Sequence, residues 1–233
     1  MPGSTVDGLG CDLSRMRSVR ALAATVTDTH GRLDVLVNNA GTVMFERLIT
    51  EDGLETTFAV NHLAPFLLTT SLLPVLGASG AGRVTVASDN HEAIKKVPWD
   101  DLQGEREYAP LQAYNRTKLM NVWFTGGLAR RTVGQGVSAY CVSPGFVRTR
   151  LARGARGPFA LFIRLAGPFQ AGPDKGAATT VHVATAADPG PSGGYCASRP
   201  PPGARLPVGT PAARVRSTGV HPGTPVRVAT SGP

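Results

Sequence analysis

The sequence predicts an α/β protein built on a doubly wound parallel sheet. Three apolar runs have the length of buried strands, and segments with helical periodicity separate them. Strands that alternate with helices imply crossover connections and therefore parallel strands. Polar or turn-forming residues end the runs, at Asn38, Ser88 and Pro144. Because ligands bind at the carboxyl ends of the strands in such a sheet, these three breaks are the first candidates for a site.

The chain is long enough for one sizeable core, since it has 233 residues of which 42% are hydrophobic. We expect one domain over residues 1–198. Its longest mainly apolar stretch, residues 63–76, is interrupted by two prolines, so no membrane span and a cytoplasmic location are expected. The three cysteines are odd in number and far apart, which favours reduced thiols over a disulfide framework or a metal site.

The net charge of +8 raises the question of nucleic-acid binding. Residues 188–233 carry five arginines against one aspartate, so half of the excess charge lies in the tail. A basic face with interleaved aromatic residues is missing, and we expect no nucleic-acid partner. From residue 188 onward the chain also holds ten of its nineteen prolines, without periodicity. This composition predicts a disordered tail over residues 199–233.

The first half of the chain predicts two strands and two helical regions. Residues 5–13 are interpreted as a strand, and Ser14 is a plausible cap for a helix over residues 16–29. The apolar run at residues 33–37 predicts the next strand. Residues 54–76 have helical character around Asn61, and Pro65 is expected to kink that region. Residues 77–82 are predicted as a loop.

The second half repeats the alternation. Strands are predicted at residues 83–87 and 137–142, with a polar loop over residues 91–110 and a helix carrying Tyr114 and Lys118 between them. A helix over residues 175–187 and a last strand at residues 193–197 follow. The apolar stretch at residues 159–169 is either a flap over an apolar substrate or a packed surface helix.

The helix from Tyr114 to Lys118 is the strongest chemical signal. Residues four apart on a helix share a face, so the ammonium group lies beside the phenol. A nearby cation favours the phenolate and moves the tyrosine toward a useful pKa, as proton transfer requires. Alone, the spacing is more often that of a Tyr/Lys pair on a solvated helix face.

Together with other motifs, this pair resembles the short-chain dehydrogenase/reductase family, which has a Rossmann-like fold. The resemblance runs from about Asp12 to Tyr195. Within the family, Val60-Asn61-His62-Leu63, the gap between Ser88 and Tyr114, and Asp101-Leu102-Gln103 resemble the retinol-dehydrogenase-like branch. The other matching positions are Asn38-Asn39-Ala40-Gly41, Pro144-Gly145 and Thr149.

The resemblance implies a role for each matching residue. Tyr114 passes a proton to or from the substrate oxygen, Ser88 hydrogen-bonds that oxygen, and Asn61 anchors a water for proton relay. Lys118 lowers the pKa of the tyrosine and holds the nicotinamide ribose. The implied cofactor-binding positions are Asp12, Leu13, Asn38, Ala40, Gly41, Tyr114, Lys118, Pro144, Gly145, Val147 and Thr149. No metal is implied, and the cofactor is NAD or NADP.

One departure from the family concerns the start of the chain. Members open with a strand, a glycine-rich turn and a helix that receives the pyrophosphate, and no such unit precedes residue 16. We therefore expect an N-terminally incomplete sheet with an open edge and impaired cofactor binding. Either the start codon is mis-assigned or the product is truncated, and the tail is either a frameshift product or a genuine linker.

Two functional hypotheses follow. The chain is an NAD(P)-dependent oxidoreductase that interconverts a small, apolar alcohol and its carbonyl by hydride transfer. Alternatively, it is a non-catalytic, truncated relative that associates, as a homo-oligomer, through the exposed sheet edge. The sequence decides neither the substrate nor NAD against NADP.

Overall fold

The computed structural model describes residues 6–80, 82–86, 94, 97–143, 172–196 and 208–209. Its five strands are β1 Val35–Asn38, β2 Gly82–Val86, β3 Ser138–Val142, β4 Tyr195–Cys196 and β5 Val208–Gly209. They lie side by side in chain order. The first four strands run parallel, and β5 runs antiparallel beside β4. The predicted parallel sheet is confirmed, with its first three strands within two residues of the predicted positions.

The helices are also close to their predicted positions. They are α1 Met16–His30, α2 Thr56–Phe58, a π-helical turn Ala59–Leu63, α3 Ala64–Ser71, α4 Leu73–Ala78, α5 Pro110–Arg131 and α6 Pro173–Thr185. Pro110 lies in the first turn of α5, where a missing N–H leaves no helical hydrogen bond unmade.

Helices cover both faces of the sheet. Successive residues of β3 point to opposite sides, so their packing partners show which helix covers each face. Cys141 packs with Val122 of α5 on one face. Tyr140 and Val142 pack with Val183 of α6 on the other. A further cluster joins α1 to the α3–α4 segment through Ala23, Leu72 and Leu76. This two-sided cover is the doubly wound arrangement.

The strand predicted over residues 5–13 is wrong for the residues that the structure describes. Residues 6–12 form no regular element, and a turn at Leu13 and Ser14 leads into α1. Val6 is 92% exposed and Leu9 47% exposed, so the apolar side chains that suggested a strand bury little area. Gly8 and Gly10 interrupt the run, and glycine weakens a strand because it gives up conformational freedom without adding packing.

The helical region predicted over residues 54–76 is divided into four pieces. Pro65 lies in the first turn of α3, directly after the π-helical turn, and Leu63 and Ala64 before it keep helical dihedral angles, so the kink expected at Pro65 stays a prediction. A break, not predicted, occurs at Leu72, whose φ of −91° and ψ of 0° depart from helical values before Pro74.

Other predictions fall partly or wholly outside the described residues. The stretch at residues 159–169 and most of the tail are among them. Within the tail, Val208 and Gly209 depart from the predicted disorder by adding β5 to the edge of β4. Across the part of the chain that is described, no helix has the length and apolarity that a membrane span needs. No His, Cys, Asp or Glu cluster in that part could hold a metal ion.

Candidate active site

Helix α5 brings the predicted proton-transfer pair together. The Nζ atom of Lys118 lies 5.1 Å from the centre of the Tyr114 ring, and both side chains are buried. The position of a cation over an aromatic face is favourable because the ring carries negative charge density there. The i, i+4 spacing read from the sequence thus gives a real contact, and the two residues face the interior rather than solvent.

Asn61, in the π-helical turn, joins α5 to the segment after β1. Its Oδ1 atom accepts a hydrogen bond from the Thr42 N–H at 2.8 Å, and its Nδ2 atom donates to the Thr42 carbonyl at 2.8 Å. The same Nδ2 atom donates to Thr117 Oγ1 at 3.3 Å. Thr117 in turn donates to the Tyr114 carbonyl at 2.7 Å. One buried amide therefore fixes the loop after β1 against the helix that carries Tyr114.

Gly41 lies directly beside these groups. A Cβ atom at this position would be 3.4 Å from Asn61 Oδ1 and 3.5 Å from Lys118 Nζ. Both distances are ordinary contacts, so the space that a Cβ atom would take at the exposed Gly41 forms a shallow cradle beside the ammonium. This proximity places the end of the sequence Asn38-Asn39-Ala40-Gly41 beside Lys118, and the cofactor-binding role of these residues stays a prediction.

Burial sets the electrostatics of Lys118. Removal from water disfavours the charged form and lowers the pKa of the ammonium to about 8. None of the ion pairs between described residues includes Lys118. Cys141 lies close enough to interact with it, but burial raises the pKa of that thiol to about 12, so it stays neutral. The lysine is a buried donor that lacks a carboxylate partner among the described residues.

Two other predicted positions have structural partners of their own. Asn38, at the end of β1, donates from Nδ2 to Thr69 Oγ1 at 3.0 Å, which ties the strand to α3. Asp12 accepts two hydrogen bonds from Ser14 and pairs with Arg15, and the Ser14 bonds lower the pKa of the carboxyl. Asp12 is exposed and Leu13 half-buried, and no hydrogen bond or ion pair between described residues joins Asp12 to Asn61 or Lys118.

The structure brings together Asn61, Tyr114, Lys118 and Gly41. Ala40 is exposed immediately before Gly41. The remaining predicted positions lie outside the described residues, and their roles stay predictions: Ser88, Pro144, Gly145, Val147 and Thr149.

The sequence did not indicate two further participants. Thr117 lies three residues after Tyr114, so helical spacing could have pointed to it. Thr42 contributes only its backbone to the contact with Asn61, and no side-chain pattern could have identified it.

Comparison with known proteins identifies the family. A family model described as short chain dehydrogenase matches residues 2–157. The chain belongs to the short-chain dehydrogenase family. The resemblance to the retinol-dehydrogenase-like branch of this family is also confirmed. Mouse (Mus musculus) retinol dehydrogenase 12 is 42% identical over 177 residues, which cover 76% of this chain and 56% of the relative. Human (Homo sapiens) retinol dehydrogenase 14 is 39% identical over 204 residues, covering 83% and 61%.

Solved structures agree with this membership. An uncharacterized protein from Mycobacterium Paratuberculosis has a TM-score of 0.63 and 32% identity, covering 81% of this chain and 61% of its own. The NADP complex of RhlG from Pseudomonas aeruginosa has a TM-score of 0.61 and 25% identity, covering 81% and 73%. This short-chain dehydrogenase spans little more than half the length of the curated relatives named above.

Proposed function

We propose that this chain carries the proton-transfer half of an NAD(P)-dependent oxidoreductase that interconverts an alcohol and a carbonyl. The observation that carries the proposal is the buried contact between Tyr114 and Lys118, held against Gly41 by Asn61. Family membership and relatives named as retinol dehydrogenases support the reaction class. A dehydrogenation of this kind needs a proton acceptor at the substrate oxygen, and Tyr114 is the candidate.

The residues present fit a nicotinamide cofactor at this edge of the sheet. Gly41 leaves a cradle that a Cβ atom would fill, and Lys118 offers a buried donor beside it. The nicotinamide, when bound, supplies or accepts the hydride. Tyr114 gives or takes the proton at its Oη atom, and Lys118 orients the ribose through its Nζ donors. Asn61 keeps the Thr42 backbone and α5 at a fixed separation. The distance between the bound cofactor and Tyr114 is thereby fixed as well.

Cofactor binding can be followed through the tryptophans of the chain. Trp99 stacks on Trp123 with 5.5 Å between ring centres, and these are the only tryptophans of the chain. Their fluorescence is followed during a titration with NADH and NADPH, which tests cofactor binding. A cytoplasmic location also stays a prediction, which cell fractionation tests.

Substitution of Tyr114 tests the reaction. Tyr114→Phe removes the proton-transfer group, so turnover of a panel of apolar aldehydes and ketones with NAD(P)H should fall by about 10²–10⁴-fold. Tyr140→Phe is the matched control, since Tyr140 is equally buried and its hydroxyl donates to the Gly190 carbonyl. Equal activity of Tyr114→Phe and wild type would exclude the proposed role. A chain that binds cofactor and turns over nothing would exclude oxidoreduction within this panel.

A second candidate function is association through the sheet edge. Among the described residues β1 pairs only with β2, and Val37 is 40% exposed at that edge. An unpaired edge with an exposed apolar residue favours addition of another strand. Val37→Lys should then reduce the apparent mass in analytical ultracentrifugation. Val133→Lys serves as the control because Val133 is 79% exposed in the turn after α5. A monomeric wild type that binds dinucleotide would contradict this candidate.

A further inference from the structure

The carbonyl of Asn61, in the π-helical turn, lacks the donor that an α-helix would supply. In an α-helix the N–H of residue 65 would donate to the carbonyl of Asn61, but Pro65 has no N–H. The structure supplies a different donor. Asn121 of α5 donates from Nδ2 to the Asn61 carbonyl at 2.9 Å.

The other end of the Asn121 amide contacts the next residue of the turn. Asn121 Oδ1 lies 2.9 Å from Nδ1 of His62. A carbonyl oxygen only accepts, so the nitrogen of the Asn121 amide must face Asn61 and its oxygen must face His62. The histidine therefore carries its proton on Nδ1. One side chain thus fixes both the backbone of Asn61 and the tautomer of His62.

Burial and ring stacking shield these hydrogen bonds from water. Asn121 is 2% exposed and Asn61 is 1% exposed. His62 stacks on Phe58 with 5.8 Å between ring centres and an interplanar angle of 14°. Burial lowers the pKa of the imidazole, which keeps it neutral at physiological pH. A neutral ring has one N–H only, so the hydrogen bond to Asn121 decides which nitrogen carries it.

We propose that Asn121 is a positioning residue of the active site, whose amide locks the turn carrying Asn61 to the helix carrying Tyr114 and Lys118 and holds His62 as its Nδ1–H tautomer. Asn61 reaches Thr42 and Thr117 from this turn, so a shift of its backbone moves both contacts. The catalytic half of this inference rests on the proposed oxidoreductase function. The tautomer half stands on the hydrogen bonds alone.

The tautomer is tested by nitrogen NMR. A long-range ¹H–¹⁵N spectrum of the full chain distinguishes a protonated Nδ1 from a protonated Nε2, and the signal that His62→Gln removes is that of His62, one of five histidines. The wild type should show Nδ1–H. Asn121→Leu should lose this preference and show mainly Nε2–H. An Nε2–H wild type, or an Asn121→Leu variant that keeps Nδ1–H, would overturn the inference whether or not the protein is an enzyme.

The positioning role is tested by kinetics with two variants. Asn121→Asp keeps an oxygen for His62 but removes the donor to the Asn61 carbonyl, so it should keep Nδ1–H and lose about 10–100-fold in kcat. KM should change little, because the contacts to substrate are intact. Thr125→Val is the matched control, since Thr125 is also buried on α5 and makes an ordinary hydrogen bond to the Asn121 carbonyl.

Distinct outcomes separate the two proposals. An inactive wild type with the Nδ1–H tautomer would remove the proposed function and leave the bridge between Asn121 and the π-helical turn in place. An active wild type whose kcat survives both Asn121→Asp and Asn121→Leu would remove the positioning role. A loss in Thr125→Val as large as that in Asn121→Asp would do the same, because any buried polar change on α5 would then have the effect.

Discussion

Lys118 is a buried ammonium whose charge the fold makes costly. Its pKa falls to about 8 from an ordinary 10.5 because the side chain is removed from water. Between these two pH values the unfolded chain binds more protons at this residue than the folded chain does. The free energy of unfolding therefore rises with pH in this window, as the penalty of the buried charge disappears.

Lys118→Met should remove this rise. At 1.36 kcal/mol per pKa unit, the free energy of unfolding of the wild type should rise by about 3 kcal/mol relative to that of the variant between pH 8 and pH 10.5. Urea unfolding of both proteins across this range measures the difference, and other alkaline titrations cancel in the comparison. Parallel stability curves for the two proteins would show that the lysine is not neutralised by burial.

At this scale, what the sequence could predict depended on whether the partner of a residue lies on the same helix. Tyr114 and Lys118 are recognisable from helical spacing, and the contact of 5.1 Å bears this out. Asn121 lies on the same helix, but its role depends on a partner 60 residues away, the Asn61 carbonyl. Periodicity along one helix carries no information about such a partner.

At the scale of elements, polar groups fix the start of the segment from Glu55 to Ala78. Glu55 is completely buried and caps α2, since its two carboxylate oxygens accept hydrogen bonds from the Thr57 and Phe58 N–H groups at 2.7 and 2.8 Å. The Tyr108 hydroxyl lies 3.2 Å from the same carboxylate and 2.8 Å from the Met44 carbonyl. This cap fixes α2, which leads directly into the π-helical turn.

Glu55→Gln should destabilise the fold by about 1–3 kcal/mol, because an amide offers one acceptor where the carboxylate offers two. One of the two N–H groups would then face an NH₂ group in the interior. Glu46→Gln is the control, since Glu46 is exposed and its change should stay within about 0.5 kcal/mol. Chemical denaturation measures both values, and equal effects would mean that the cap contributes nothing.

The sequence predicted a helical segment with a kink at Pro65, but it could not predict a π-helical turn. That turn depends on tertiary hydrogen bonds from Asn121 and on Asn61 reaching Thr42. The strand predicted before α1 was wrong for a different reason, which is a lack of tertiary packing. Its apolar residues suggested pairing, yet Val6 and Leu9 remain exposed, so no packing rewards an extended conformation there.

At the scale of the whole molecule, the sheet was predictable because its strands are short apolar runs that end in polar residues. The register aligns Asn38 of β1 with Thr85 of β2 and Cys141 of β3, so the carboxyl ends meet at one edge. Asn61 and Gly41 reach the same edge from the connections around β1. The site is therefore a product of strand alignment, and the helices supply its side chains.

The sheet also separates two cysteines that are neighbours along it. Cys141 and Cys196 lie on adjacent strands but face opposite sides, and both are fully buried. Burial raises the pKa of the Cys141 thiol to about 12 and that of Cys196 to about 11. A thiolate-seeking reagent should therefore label Cys11, which is only partly buried, well before the other two.

Mass spectrometry after timed alkylation checks this order, and Cys11→Ser should abolish the fast phase. Simultaneous labelling of all three thiols in the native protein would contradict it. Because the two slow thiols sit on opposite faces of the same pair of strands, each reports the opening of its own helical layer. The alkylation rate of Cys141 measures how often the layer of α5 opens, and that of Cys196 measures how often the layer of α6 opens. Equal rates would show that the two layers detach together.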